Sequence, residues 1–355
     1  MILNIYFSYI VKRTFKITAS IFFVFIFIDF IFNLLGELED ISTTYTFIEI
    51  FKFSLYSSPE RAFVFLEGSC LLGFMISMGL SQEEGNLNVL RSSGISPFKI
   101  VLIGSIGPMI LAVIFLLSHE YIFKDLSNKS EISKELSMSK TFDADADFTW
   151  LKDGSRYINF KRKIEDRVFD VRYFEIEKNI VNISLVSDSA KINNNQIIFD
   201  SSLDIKINKT KKDSNSFEVI KDFNFPVIVS KNINDIDRLS MRDKSILISQ
   251  LSGQLIKQDR IFKSHLEKSY LQFFLKPISI ISLILFFGCF IFGSLRESTS
   301  GSKIVISVLG AFIYQISQDL SSSIAISFNF NILFGSLLPA LIIFFISLRM
   351  YRKLN

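Results

Sequence analysis

ITASIFFVFIFIDFIFNLL, residues Ile17–Leu35, runs for 19 residues with Thr18, Ser20, Asp29 and Asn33 as its only polar members. A helix needs about 20 mostly apolar residues to cross the ~30 Å hydrocarbon layer of a bilayer. The stretch therefore reads as a membrane span. Lys12, Arg13 and Lys16 precede it in the manner of a secretory leader, but it is too long for one and no small-x-small cleavage site follows, so a retained helix is expected.

Working outward, five more stretches pass the same test: AFVFLEGSCLLGFMISMGL (Ala62–Leu80), VLIGSIGPMILAVIFLLS (Val101–Ser118), PISIISLILFFGCFIFGSL (Pro277–Leu295), a segment from about Ile304 to Phe328, and ILFGSLLPALIIFFISL (Ile332–Leu348). The fifth is the most polar, diluted by Gln315, Gln318, Asp319 and the serines at 321–323. This segregation explains how a 355-residue chain can be 49% hydrophobic, with 39 Phe, and still carry 21% charged residues. Such a composition marks membrane spans plus a water-facing portion.

Lysine and arginine set the orientation. Lys12, Arg13, Lys16, Arg91, Lys99, Arg296, Lys303, Arg349, Arg352 and Lys353 fall on one side of the six spans. The short connections on the other side hold Lys52 and Arg61 among Glu37, Glu39, Asp40, Glu49 and Glu60. Both termini are therefore expected in the cytoplasm, and the long polar interval outside it. The expected layout is residues 1–118 for spans one to three, 119–268 for the extracytoplasmic domain with helical linkers, and 269–355 for spans four to six.

The interval is expected to be β. VNISLVS (Val181–Ser187) sets Val181, Ile183 and Leu185 on one face, and SLDIKIN (Ser202–Asn208) does the same with Leu203, Ile205 and Ile207. Period-2 alternation marks half-buried antiparallel strands. SRYINFK, VFDVRYFEIE and SFEVIKDF add candidates, Asp153-Gly154 suits a hairpin turn, and Lys178-Asn179 and Asn193–Asn195 mark further turns. Short strands at this spacing suggest a sandwich or open jellyroll. A helical stretch, about Ser245–Phe274, leads back to the fourth span.

Between spans two and three lies SQEEGNLNVLRSSGISPFKI (Ser81–Ile100). Glu83 and Glu84 suit a helix N-terminus, Gly94 suits a helix stop, and Leu87, Leu90 and Arg91 share one side of the short helix between them. This is either a plain amphipathic connector or an element that docks on a cytoplasmic partner. Several classes fall away. There is no basic run of five or more residues for nucleic acid, and only two histidines, His119 and His265, so neither a zinc site nor a histidine-based triad is supported. Cys70 and Cys289 sit inside apolar stretches and read as small buried residues rather than a disulfide or metal pair. No G-x-x-x-x-G-K-[ST] loop occurs, so any ATP hydrolysis belongs to a separate polypeptide.

Over nearly its whole length the chain resembles the LptF/LptG family of lipopolysaccharide export permeases, closer to the LptG branch. IFGSLRESTSG (Ile291–Gly301), GSLLPALIIFFISLRMYRK (Gly335–Lys353), LRSSGIS (Leu90–Ser96) and WLKDGSRYINFKR (Trp150–Arg162) carry the likeness. The resemblance implies a six-span membrane protein with a periplasmic jellyroll-like domain, paired with an LptF-like permease and an LptB-like ATPase dimer that binds ATP and Mg. It also implies delivery of lipopolysaccharide to LptC- or LptA-like jellyrolls. The segment 82–93 would then be the coupling helix, with Glu83, Glu84, Asn86, Leu87, Leu90, Arg91 and Gly94 as its candidate residues. The substrate cavity or gate would draw on Phe27, Phe30, Asn33, Lys52, Arg61, Glu67, Arg296, Phe312 and Tyr314. The chain departs from the family pattern in having Asn86 where a coupling glutamate is common, Glu67 where a proline is expected, and FNLLGELED (Phe32–Asp40) with no lysine at the end of the first span. The LptF-type role in the same complex and a membrane-anchored adaptor or sensor are the alternatives.

Asp29, Glu67 and Asp319 stand out because a carboxylate at mid-membrane costs about 2.5–3.5 kcal/mol on insertion scales and so usually faces a cavity or a partner. Glu67 is expected to face a water-accessible cavity, while Asp29 and Asp319 fit an interfacial place near the span ends equally well. The three-plus-three layout makes a direct prediction: single cysteines at Asn193 and Ser92 should label from opposite sides of the membrane, and labelling from the same side refutes the layout.

Overall fold

The computed structural model describes residues 2–42, 45–138, 149–153, 155–164, 167–177, 180–193, 196–199, 205–207, 210–212, 219–221, 236–237, 239–251, 257–292 and 300–354. The chain divides into two packed units: Met1–Phe32, Ser58–Phe123 and Leu239–Asn355 in one, Asn33–Ser57 and Lys124–Arg238 in the other.

The first unit is a helical bundle. Its long helices are α1 (Ile2–Glu37, whose last residues pass into the second unit), α3 (Leu66–Glu83), α5 (Pro97–Ser118), α8 (Lys257–Phe292), α9 (Ser300–Phe328) and α10 (Ile332–Leu354). Among the described residues six helical stretches are long and apolar enough to cross a membrane. Local chemistry sets their ends. Ser96 enters α5 in an extended conformation, and Pro97 opens the helix where a missing N–H costs nothing. Between α9 and α10, Asn329 turns the chain with φ +59°, and the Asn331 Oδ1 accepts the Leu333 N–H at 2.9 Å to cap α10. The helices overrun their apolar cores: α1 and α8 each hold 36 residues.

Small residues fasten this bundle, as lipid-embedded helices require for close backbone approach. A Cβ on Gly107 would lie 2.2 Å from Thr14 Oγ1 and 2.6 Å from the Phe15 nitrogen, and one on Gly73 would lie 2.4 Å from Thr18 Cα. Thr14 and Thr18 are fully buried. The first half of α1 is thus locked onto α3 and α5. Beyond it, Phe23, Phe27, Ile31, Phe32 and Leu35 are exposed.

The second unit includes α2 (Phe47–Arg61, up to Ser57), α6 (Lys124–Met138) and the strands. The sequence reads Gly36–Arg61 as a simple connection; α2 fills much of it because Phe47, Ile50 and Phe53–Ser54 recur at helical spacing, with Ile50 and Ser54 fully buried. Among the described residues one antiparallel sheet contains β1 (Thr149–Asp153), β2 (Arg156–Phe160), β3 (Arg162–Ile164), β4 (Arg167–Glu177), β5 (Ile180–Asn193), β6 (Gln196–Phe199), β7 (Ile205–Ile207), β8 (Thr210–Lys212) and β9 (Val219–Lys221). Asp153 pairs with Arg156, leaving two residues between β1 and β2. Gly154, Lys178, Asn179, Asn194 and Asn195 of the expected turns, with Leu203 and much of SFEVIKDF, lie outside the described residues.

The hairpin of β4 and β5 is the spine. Near Arg167 and Lys191 its outer neighbours are β3 and β6; near Glu175 and Ile183 they are β2 and β7. The change of partner on β4 falls between Phe169, opposite Arg162, and Arg172, opposite Asn159. Asp170 lies between them at φ 52°, a conformation short polar side chains tolerate better than most. The spine hairpin thereby changes neighbours along its length within one antiparallel sheet. Its core joins Ile158, Phe160, Val168, Val171, Tyr173, Leu185, Ile197 and Phe199.

Close approach at Gly107 yields a stability prediction. Gly107→Ala should destabilise the detergent-purified protein by about 1–3 kcal/mol, the usual range for overpacking. Gly36→Ala, where an added Cβ meets nothing within 4 Å, should be neutral or stabilising by up to about 1 kcal/mol. Equal melting shifts for the two would contradict the packing.

Candidate functional site

The corner after α3 is built differently from the helix its residues suggest. Glu83 closes α3 rather than opening the next helix, and Gly85, at φ +77°, makes the break. The short helix α4 runs over Asn86–Ser92. It ends as Gly94 suggests: at φ +82° its N–H bonds the Arg91 carbonyl, while the Ile95 N–H bonds Leu90 O, a paired closure that suits glycine. Leu87 and Leu90 are buried in the bundle core, so they hold α4 in place. Asn88, Val89, Arg91, Ser92 and Ser93 form the exposed face. Arg91 also lies over the Phe292 ring, 5.9 Å from its centroid.

Glu84 points back to α1. Both guanidinium nitrogens of Arg13 donate to its carboxylate, Nη2 to Oε1 at 2.7 Å and Nη1 to Oε2. Asn86 Nδ2 donates to the same Oε2 at 2.9 Å, and Arg13 Nη1 also donates to Tyr9 Oη at 2.7 Å. These donors, the guanidinium first, hold the Glu84 carboxyl below the usual carboxylate range.

Within the spans each of the three noted acids meets a base from another helix. Asp29 Oδ2 accepts from Arg61 Nε at 3.0 Å, and Arg61 also donates to Ser58 Oγ at 3.2 Å. Asp319 on α9 pairs with Lys268 of α8 at 3.1 Å. Glu67, only 6% exposed, lies 3.5 Å from Lys276 of α8, whose ammonium sits 4.7 Å from the Phe63 ring centroid. One turn along α8, Ser279 Oγ accepts a 2.7 Å bond from buried Tyr314. Glu67 and Tyr314 therefore belong to the packed interior. Phe27 and Phe312 face outward at 62% and 61% exposure, and Phe27 stacks with half-buried Phe30 at 6.5 Å.

In the second unit Asn33 donates to Ser54 Oγ at 3.1 Å, and Lys52 is exposed. Lys134 of α6 pairs with Glu37 at 2.5 Å and lies 4.8 Å from the Phe53 ring centroid. The acid-rich end of the first span is thus answered by a lysine almost a hundred residues away. Arg296 lies outside the described residues.

Lys134, Lys268 and Lys276 escape the sequence reading because each counts there as a loop or linker residue. Their signal was the unpaired acids, each of which demands a base. No group of three His, Cys, Asp or Glu that could hold a metal occurs among the described residues. Cys70 and Cys289 are buried free thiols.

Six apolar helical stretches, a β domain between the third and fourth, and outward aromatic faces define a multi-pass membrane protein of the permease kind. The chain belongs to the family described as lipopolysaccharide export system permease LptF/LptG, matched over residues 8–353. It is 22% identical over 311 residues to the lipopolysaccharide export system permease protein LptG of Haemophilus influenzae, covering 84% of each chain. It is 21% identical over 326 residues to the LptG of Escherichia coli K12, covering 83% of each.

The buried pair predicts a specific asymmetry. Lys276→Met strands the Glu67 charge and should cost about 3–5 kcal/mol, whereas Glu67→Gln with Lys276→Met should recover most of it. Unfolding of the purified variants measures both; a double variant no better than the single would show the pair is not the cause.

Proposed function

We propose that this chain is the LptG-type permease subunit of an ATP-driven exporter that lifts lipopolysaccharide out of the inner membrane. The observation that carries the reading is the uneven covering of its spans. Of the most apolar window in each helical stretch, 11% is buried for Tyr6–Asp40 and 17% for Gly301–Phe328, against 67% for Phe47–Glu83. The first and fifth spans thus offer broad Phe- and Ile-rich faces with little of their own chain upon them. A partner permease would complete a chamber between such faces, and acyl chains would fill it without cost, since its walls are as apolar as lipid.

In this reading both termini and α4 are cytoplasmic and the β domain is periplasmic. The exposed residues of α4, Asn88, Val89, Arg91 and Ser92, meet an LptB-like ATPase, which binds ATP and Mg itself. An LptF-like permease supplies the other wall, and LptC- or LptA-like jellyrolls receive the lipid from the β domain. Lys52 is the basic residue best exposed to meet a phosphate of the head group. Arg61 reaches it only by giving up Asp29.

Photo-reactive residues test the chamber. In the assembled complex, p-benzoylphenylalanine at Phe27 or Phe312 should cross-link lipopolysaccharide, with yields that fall when ATP drives export; at Met75, buried in the core, it should not. A complex that hydrolyses ATP yet yields no lipid adduct at either exposed position would favour an adaptor instead.

A further inference from the structure

We propose that the Arg13–Glu84 ion pair is the joint that passes movement of α4 to α1, making these two residues positioning elements of the export cycle. This deepens the exporter reading and rests on it. The argument begins with what α1 touches. Its outer half exposes Phe23, Phe27 and Phe32 while its base is packed, so the base is where a neighbouring helix of the bundle can move it. There, Thr14 and Thr18 are wedged against Gly107 and Gly73, and Arg13 reaches the residue where α3 gives way to α4.

Three features distinguish this contact from an incidental surface pair, which contributes little. It is bidentate, which fixes the direction of both side chains as well as their separation. The Arg13 side chain is only 14% exposed and braced by Tyr9, so it cannot swing freely. Glu84 also receives Asn86, the first residue of α4, so one carboxylate holds α1 and α4 at once.

Gly85 supplies the other requirement. Its φ of +77° breaks the helix immediately beyond Glu84, so α4 can turn relative to α3 about that residue. With Leu87 and Leu90 as its seat on the bundle, a small tilt of α4 reaches Glu84 through the Asn86 hydrogen bond, and through Glu84 the base of α1. In this arrangement Glu84 is engaged inside the chain, leaving the exposed face of α4 for the ATPase.

The test uses the complete complex in proteoliposomes. Spin labels at Phe32 and Leu117, both exposed, report the outer half of α1 against α5; buried Cys70 and Cys289 stay unlabelled. In the parent complex the separation should change between the ADP-bound and vanadate-trapped states. Arg13→Gln should leave ATP hydrolysis within about two-fold while abolishing that change and lowering lipid moved per ATP at least about five-fold, the lower end of ordinary coupling effects, and Glu84→Gln should likewise abolish the change in separation. The charge-reversed pair Arg13→Glu with Glu84→Arg should restore both. Unchanged label movement in the single variants, or none in the parent, overturns the joint. Should the single variants fail to assemble, an assembled reversed pair that hydrolyses ATP without moving α1 overturns it equally. If the parent moves α1 but no lipid, the exporter reading falls and the joint stands.

Discussion

Hydrocarbon cannot solvate a charge, and the rest of this structure depends on how that constraint is met. Each acid in the spans is answered by a base on a different helix: Asp29 by Arg61, Glu67 by Lys276, Asp319 by Lys268. Alone, any of these groups would oppose insertion. Paired, they become fasteners that only one register of the helices satisfies. A buried pair is weak evidence of stability but can specify which arrangement forms. Here Lys276 and Ser279 share a face of α8, so the same stretch of that helix fixes α3 through Glu67 and α9 through Tyr314.

Apolar packing does the remaining work of the bundle and divides it into firm and loose parts. Where glycine or threonine meets a neighbouring backbone, helices approach too closely for lipid to enter. Where Phe and Ile project from α1 and α9, they are exposed among the described residues. The division sets closely packed helix contacts beside broad exposed apolar faces on α1 and α9.

Much of this was legible in the sequence, for physical reasons. Long apolar runs have few alternatives to spanning, so six spans follow from composition alone, and the turn at residues 329–331 falls where the fifth and sixth stretches part. Alternation identified β5, although its inward face continues through Ser187 and Ser189, which an apolar pattern does not flag. What escaped depends on contacts between distant residues. Glu83 and Glu84 read as the start of a helix, but the carboxylate of Glu84 is taken by Arg13, 71 residues earlier. Leu87 and Leu90 mark an amphipathic helix; only packing shows that they face this chain's own core. The change of partner at Asp170 left no mark in the alternation of β4.

The wedge of Thr14 and Thr18 makes α1 a cantilever, clamped at its base and long beyond the clamp. From Thr18 to Phe32 the helix extends about 21 Å at 1.5 Å per residue. A tilt of about 10° at the clamp would sweep its tip through roughly 4 Å, close to the width of an acyl chain, with no change in the helix itself. The Asp29–Arg61 tether lies near that tip, where leverage against it is greatest. Small motions at the base are therefore amplified along the helix, and the spacing between clamp and tether sets the stroke.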